Sequence, residues 1–123
     1  MEKIVIFTNP NCGYCNQVKV TLKERGVDYT EKITDNFQKE WNQVMYLTGM
    51  GITPTISFKG SYFIPGRDFN NPTQLVEMLN HFETLTNDSD TLIIERTKTL
   101  NHNIVTALRD LDRIIKDINK KLN

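Results

Sequence analysis

Two cysteines, the only ones in the chain, are separated by two residues at the point where a short apolar run ends. That run, at residues 4–7, is rich in β-branched side chains and predicts a buried strand, and turn-forming residues follow it at 9–11. Beyond the turn, Cys15, Val18 and Leu22 recur at helical spacing. The chain therefore has to fold so that a helix begins at the cysteine pair, directly after the first strand.

Length and charge exclude several classes of function. A chain of 123 residues with 38% hydrophobic side chains can build one compact core. Its 15 basic and 15 acidic residues balance, which favours neither nucleic acid nor a membrane as a partner. The first apolar run is too short for a signal peptide, and no stretch approaches the ~18 residues of a membrane span. We expect a cytoplasmic protein, in which a close cysteine pair is more typical of redox catalysis or metal binding than of a permanent disulfide.

The next part of the chain predicts a second strand and a second helix. Residues 28–33 alternate in the manner of a strand, and Asp35 or Asn36 can cap the helix that follows. Trp41 lies on the apolar stripe of this helix and is interpreted as a core anchor. The glycines at 49 and 51 end the helix.

Two more strands and a third helix complete the pattern. Residues 54–58 and 62–64 predict strands joined by a turn at 59–61. Asn71 as N-cap and Pro72 at the first helical position announce the third helix, whose apolar residues are Leu75, Val76, Leu79 and Phe82. The order β-α-β-α-β-β-α, with Cys-x-x-Cys at the first strand-to-helix turn, predicts an α/β fold of the thioredoxin-like type.

The two cysteines differ in their predicted surroundings. Cys12 lies at the start of the helix, where free backbone N–H groups and the positive end of the helix dipole stabilise a thiolate. Cys15 shares a face with Val18 and Leu22 and points toward the core. We predict that Cys12 attacks a substrate disulfide, that Cys15 resolves the mixed disulfide, and that a reductant then restores the dithiol.

A metal site is the alternative for such a pair. Structural zinc usually takes four protein ligands, and the remaining candidates, His81 and His102, are distant in sequence from the cysteines and from each other. We therefore predict no resident metal, and the one arrangement that we keep open is two subunits sharing four sulfurs. Both histidines are interpreted as solvated helix residues.

Three stretches in the same order resemble the glutaredoxins and the glutaredoxin-like redoxins that feed ribonucleotide reductase: IVIFTNPNCGYC, GITPTISF and YFIPGRDF. The resemblance covers about residues 3–83 and implies a redox domain at 1–84 that reduces protein disulfides and binds no cofactor. It implies a cis bond between Thr53 and Pro54, which would turn the Thr53 backbone toward the sulfurs, where an extended substrate can pair with it. Tyr14, between the cysteines, is predicted to contact substrate.

Gly66, Arg67 and Asp68 match the family's Gly-x-Asp turn. In glutathione users, that turn holds the γ-glutamyl end of the tripeptide, whereas the alternative is a polar turn before the last helix. Asn9 stands where many glutathione users have a lysine, so a charged hydrogen bond worth about 1.5–3 kcal/mol is missing. Either glutathione or a thioredoxin reductase is therefore expected as the reductant.

Residues 88–123 lie outside the resemblance and contain neither proline nor glycine. They predict one long helix, capped by Ser89 or Asp90. Its apolar residues form a heptad seam that Asn101, Thr97 and Ile94 extend backward. A neighbouring row widens the apolar face. The seam consists of Ile104, Leu108, Leu111, Ile115, Ile118 and Leu122, and the second row of Ile93, Leu100, Ala107 and Ile114.

Two uses of this helix are open to the chain. It could fold back on its own domain, or it could join two chains as a parallel or antiparallel coiled coil. A helix of about 50 Å overhangs so small a domain, which favours a homo-oligomer, with a dimer as the simplest case. For the whole chain we predict a dithiol oxidoreductase, and the alternative is a non-catalytic redox-sensing adaptor whose cysteine state controls partner binding.

Overall fold

The computed structural model describes residues 4–82 and 91–122 and has the predicted element order. The thioredoxin-like α/β fold, followed by a long C-terminal helix, is confirmed. The strands are β1 (Ile4–Thr8), β2 (Tyr29–Ile33), β3 (Thr55–Phe58) and β4 (Ser61–Phe63), and the helices are α1 (Gly13–Glu24), α2 (Gln38–Thr48), α3 (Pro72–Asn80) and α4 (Thr91–Leu122).

The four strands form one mixed sheet in the order β2-β1-β3-β4. β1 runs parallel to β2, while β3 is antiparallel to both β1 and β4. Because β1 and β4 therefore run in the same direction, their carboxyl ends lie at the same edge of the sheet as the amino end of β3. We call this the cysteine edge, since the loop that carries Cys12 leaves the sheet there.

Helices cover both faces of the sheet, because successive apolar side chains of β1 point to opposite faces. Ile4 and Ile6 face α1 and α3, where they join the larger buried cluster. Phe7 faces the opposite side and packs on Trp41 and Val44 of α2. Trp41 is only 7% exposed, which confirms it as a core anchor.

Two predicted helix boundaries are wrong. Asp35 and Asn36 do not cap α2, because residues 34–36 form a 3-10 turn and Phe37 occupies the cap position without a side-chain hydrogen bond. The amide of Phe37 donates to the carbonyl of Thr34 at 3.2 Å, so this local bond closes the turn before the helix can start. α3 ends at Asn80, so Phe82 lies beyond it and packs edge-on against Phe63 instead.

The predicted cap of α3 is confirmed. The side-chain oxygen of Asn71 accepts a hydrogen bond of 2.8 Å from the backbone amide of Gln74, and Pro72 occupies the first turn. For α4, the predicted caps Ser89 and Asp90 lie outside the described residues.

The first turns of α4 pack on α2 and β4 through polar residues. Glu95 and Thr99 are 0% and 7% exposed, and the Thr99 hydroxyl donates to the carbonyl of Thr48. The Arg96 side chain donates to the Tyr46 carbonyl from the adjacent position. These contacts set which face of α4 meets the domain, and the apolar seam lies on another face.

The seam and its second row are exposed on the described part of α4. Their larger side chains are 49–67% accessible at Ile93, Leu100, Ile104, Leu108, Leu111, Ile114, Ile115 and Ile118. In this structure, those side chains do not pack on their own domain. The predicted division into a domain at 1–84 and a separate helix at 88–123 stays a prediction, although the Glu95 and Thr99 contacts tie the two parts together.

A buried ion pair fixes α4 to the sheet. The Arg67 and Glu95 side chains are each 1% exposed, and Nη2 of Arg67 lies 2.6 Å from Oε2 of Glu95. The other carboxylate oxygen of Glu95 accepts the backbone amide of Tyr62 at 2.9 Å. Since β4 is the last strand of the sheet, Glu95 thereby satisfies an outward-facing amide of an otherwise open edge.

We predict that Glu95→Gln lowers the free energy of unfolding by about 1–3 kcal/mol, because the buried Arg67 guanidinium then keeps only one of its two carboxylate partners, Asp68. Urea unfolding followed by circular dichroism measures the change. The matched control is Asp112→Asn, which removes an exposed ion pair with Lys116 on the same helix and should leave the midpoint unchanged. Equal midpoints for the two variants would contradict the structural role assigned to Glu95.

Candidate active site

The loop between β1 and α1 places Cys12 at the start of the helix. Its turn is held by two local bonds, from the amide of Asn11 to the Asn9 side chain at 3.0 Å and from the amide of Cys12 to the Asn9 carbonyl at 3.1 Å. Cys12 is the N-cap of α1, with an extended backbone at φ −100° and ψ 103°. Asn9 therefore shapes the loop through both its backbone and its side chain.

Cys12 and Cys15 form a disulfide, with their Cα atoms 5.3 Å apart. The backbone amide of Cys15 points at Sγ of Cys12, at 3.1 Å. After reduction, the same amide is placed to donate to a Cys12 thiolate, and the N-terminal end of the α1 dipole acts in the same direction. Both effects favour the anion at Cys12.

The two sulfurs differ in accessibility. Cys15 is 1% exposed and lies on the buried face of α1 with Val18 and Leu22, whereas Cys12 is half-buried. An incoming disulfide therefore reaches Cys12 first. The division between an attacking and a resolving cysteine stays a prediction.

The loop before β3 lies against the cysteine pair. The Thr53–Pro54 bond is cis, as predicted, and Pro54 is buried. The Thr53 carbonyl oxygen lies 3.7 Å from Sγ of Cys12. A backbone group is thus beside the reactive sulfur, while the part that Thr53 and Pro54 play in substrate binding stays a prediction.

Tyr14 is half-buried and packs against the core cluster beneath α1. Burial raises the pKa of its phenol above the ordinary value. The hydroxyl therefore stays protonated across the physiological range and can donate a hydrogen bond. Its predicted contact with substrate is compatible with this position.

The turn after β4 brings Gly66 to the cysteine edge. Gly66 has φ +82°, a conformation that favours glycine. Its amide donates to the Phe69 carbonyl, and the amide of Asp68 donates to the Ile64 carbonyl, both at 2.8 Å. In return, the Asp68 carboxylate accepts the amide of Ile64 at 2.8 Å. These bonds make the turn rigid, and its predicted role in holding glutathione stays a prediction.

The Arg67 side chain points into the protein. Its Nε and Nη2 atoms contact the Asp68 carboxylate at 2.9 and 2.7 Å, and Nη2 also donates to the Tyr62 carbonyl at 3.0 Å. On the α4 side, Nη1 lies 3.2 Å from both the Glu95 carbonyl and the Thr99 hydroxyl. A contact between Arg67 and a bound carboxylate would therefore require these bonds to open.

Sequence reasoning missed Glu95 and Thr99, which orient Arg67 from α4. Both occupy polar positions of an amphipathic helix, and nothing in the pattern marks them as buried. The only available signal was their position around the helix, since both lie on the side opposite the apolar seam.

The part of the chain that the structure describes contains neither a candidate metal cluster nor a candidate membrane-spanning helix. No group of three or more histidine, cysteine or acidic side chains lies close enough together to hold a metal ion among these residues. His81 is exposed at the end of α3, and His102 is half-buried on α4. Within the same residues, no helix is both long and apolar enough to cross a membrane.

Comparison with known proteins finds a match to one family model. The glutaredoxin family model matches residues 4–63, which span β1 to β4 and include both cysteines and the cis bond. Among solved structures, the holo form of glutaredoxin C1 from Populus tremula x tremuloides is similar, with 23% sequence identity, a TM-score of 0.47, and coverage of 75% of this chain and 83% of that chain. None of the curated proteins matches the sequence. Residues 4–63 of this chain are therefore similar to the glutaredoxin family.

Proposed function

We propose that this protein is a dithiol thiol–disulfide oxidoreductase that reduces protein disulfides through Cys12 and Cys15. Glutaredoxins are in general thiol–disulfide oxidoreductases, and the two cysteines lie within the matched segment. The observation that carries the proposal is the asymmetry of the pair. Cys12 is accessible at a helix start and receives the Cys15 amide at 3.1 Å, whereas the Cys15 sulfur is buried.

The reaction follows from this asymmetry. The Cys12 thiolate attacks one sulfur of a substrate disulfide, forms a mixed disulfide and displaces a substrate thiolate, which takes up a proton. Cys15 then loses its proton and attacks Sγ of Cys12, which releases the second substrate thiol and leaves the Cys12–Cys15 disulfide. Two electrons and two protons from a reductant regenerate the dithiol.

The electron source and the substrates are part of the proposal. Either glutathione or a thioredoxin reductase serves as the reductant in the cytoplasm, and no bound cofactor is required because the cysteines carry the electrons. Ribonucleotide reductase-type proteins and other cytosolic disulfide proteins are the proposed substrates. The Thr53 backbone, 3.7 Å from the Cys12 sulfur, is placed to pair with an extended substrate segment beside the attacked bond.

The competing function is a redox-sensing adaptor without turnover. In that case one change of the cysteine state alters partner affinity once, whereas an oxidoreductase consumes many equivalents of disulfide while reductant is supplied. Partial exposure of Cys12 favours the oxidoreductase, since a catalytic sulfur has to meet a new substrate in every cycle.

We also propose that α4 joins two copies of the chain. Its 32 residues extend for about 48 Å at 1.5 Å per residue, well beyond the part that packs on α2 and β4. The polar side with Glu95 and Thr99 meets its own domain, so the heptad seam is left for a second helix. Asn101, an exposed polar residue at an a position, would select the register of a small oligomer, with a dimer as the proposed state.

We predict that Cys12→Ser abolishes disulfide reduction, while Cys15→Ser accumulates a mixed disulfide through Cys12. The first variant lacks the attacking sulfur, and the second lacks the group that resolves the intermediate. Turnover of insulin disulfides and of a glutathione mixed disulfide, each with thioredoxin reductase or with glutathione and its reductase, measures the activity. Mass spectrometry identifies the trapped adduct. A Cys12→Ser protein that still turns over either substrate would refute the assignment.

We predict that Leu108→Glu combined with Ile115→Glu converts the oligomer to a monomer, because two charges then lie in the seam. Light scattering at low micromolar concentration measures the mass. The matched control places two glutamates on the opposite side of the helix, by Arg113→Glu and Lys120→Glu, and should keep the oligomer. A monomeric wild-type protein would rule out the coiled-coil proposal.

A further inference from the structure

A polar cleft of about 240 Å³ lies between the turn after β4 and the second part of α4. One wall comes from the turn and includes Gly66, Asp68 and Asn70. The other comes from α4 and includes His102, Thr106 and Arg109. Both walls lie outside residues 4–63, the segment that matches the glutaredoxin family model.

The direction of α4 brings this cleft toward the redox pair. The Thr91 hydroxyl lies 3.3 Å from the Gly60 carbonyl in the β3–β4 turn, and Glu95 contacts Tyr62 in β4. Further along, α4 lines the cleft beside Gly66, which follows the carboxyl end of β4. The helix therefore runs alongside β4 toward the cysteine edge.

The strand order gives the span between the cleft and the cysteine loop. Only β3 separates β4 from β1, so the ends of β1 and β4 lie about 10 Å apart, at roughly 4.8 Å per strand spacing. An extended peptide advances about 3.3 Å per residue. An extended segment that crosses the ends of these strands therefore covers the span from the cysteine loop to the turn after β4 in about three residues.

The charges around the cleft leave one cation unmatched. Arg67 and Lys98 are balanced by Asp68 and Glu95, with every one of these four groups in an ion pair. By contrast, Arg109 is exposed, and among the described residues its guanidinium has neither an ion pair nor a side-chain hydrogen bond. Asn70 and His102 add hydrogen-bonding groups to the lining. This combination is complementary to a carboxylate.

We propose that the cleft between residues 66–70 and α4 is a subsite for a carboxylate of the disulfide substrate, about three residues from the reacting sulfur, with Arg109 as its cation. This inference rests on the proposed oxidoreductase function and names its substrate class as anionic peptide disulfides. The carboxylate could belong to a glutathione disulfide or to an acidic segment of a protein, since both present the same chemistry.

The test measures the rate of a single turnover by prereduced protein, so that no external reductant is needed. Prereduced wild-type protein, Arg109→Glu and Arg113→Glu are mixed with oxidised glutathione, cystamine or bis(2-hydroxyethyl) disulfide, which are anionic, cationic and neutral. Two further probes are peptide disulfides with Glu or Gln three residues from the cysteine. Arg113 is the matched control, because it lies one turn further along α4 and already pairs with Asp110. Acid quenching and mass spectrometry give the second-order rate constants.

For Arg109→Glu we expect the rate with an anionic probe, divided by the rate with its neutral counterpart, to fall at least tenfold. A charged hydrogen bond worth about 1.5–3 kcal/mol corresponds to about ten- to a hundredfold. The rate with cystamine, divided by the rate with the neutral disulfide, should rise for the same variant. Higher ionic strength should reduce both effects. Arg113→Glu should change each ratio by less than about twofold, as an exposed pair contributes little.

The outcomes distinguish the source of the carboxylate, the existence of the subsite and the proposed function. A lower ratio with oxidised glutathione identifies the tripeptide as the source of the carboxylate, and a lower ratio with the Glu peptide alone identifies a protein segment. Equal ratios for Arg109→Glu and Arg113→Glu would overturn the subsite while leaving the oxidoreductase proposal intact. A wild-type protein that reduces none of the probes, the neutral disulfide included, would instead refute the proposed function.

Discussion

The ion pair between Arg67 and Glu95 joins the α/β domain to the C-terminal helix. Taking two charges out of water costs several kcal/mol per ion, so such a pair is tolerated only when further hydrogen bonds satisfy both groups. Here the guanidinium also bonds to Asp68, Tyr62 and Thr99, and the carboxylate also accepts from Tyr62 and Lys98. Three separate parts of the chain, the turn after β4, the edge strand and α4, are fixed relative to one another by this network.

The network has consequences for the site. It holds the turn that carries Gly66 at the cysteine edge, and it orients α4 so that the polar residues near Arg109 line a cleft there while the apolar seam remains exposed. The proposed substrate recognition and the proposed self-association therefore use neighbouring faces of one helix, and Asn101 belongs to both. The proposed redox chemistry depends on a separate local feature, the start of α1, which leaves Cys12 partly exposed and buries Cys15.

Local signals allowed most of the fold and the redox pair to be predicted. The start of α1 at the cysteine pair and the Asn71 cap depend on residues within a few positions of each other, so their patterns can be identified in the sequence. The cis bond before Pro54 followed from resemblance to a family. The start of α2 was predicted wrongly, because the 3-10 turn at 34–36 uses the same polar residues that would cap a helix.

What could not be predicted depends on contacts between distant parts of the chain. Arg67 and Glu95 are separated by 28 positions, and no periodic pattern shows that the Arg67 side chain turns inward or that Glu95 meets it. The heptad spacing identified the apolar seam of α4, whereas the face that packs on the domain is set by Glu95 and Thr99. The cleft at Arg109 was missed for the same reason, since it exists only once α4 lies beside the turn at 66–70.

The central claim, that Cys12 is the attacking sulfur of a working dithiol pair, is tested most directly by alkylation of the fully reduced protein. Iodoacetamide is added in short pulses at pH 7, and peptide mass spectrometry gives the labelling rate of each cysteine. The account predicts that Cys12 reacts at least about tenfold faster than Cys15, because it combines thiolate stabilisation with access to solvent. Equal rates, or faster labelling of Cys15, would contradict it.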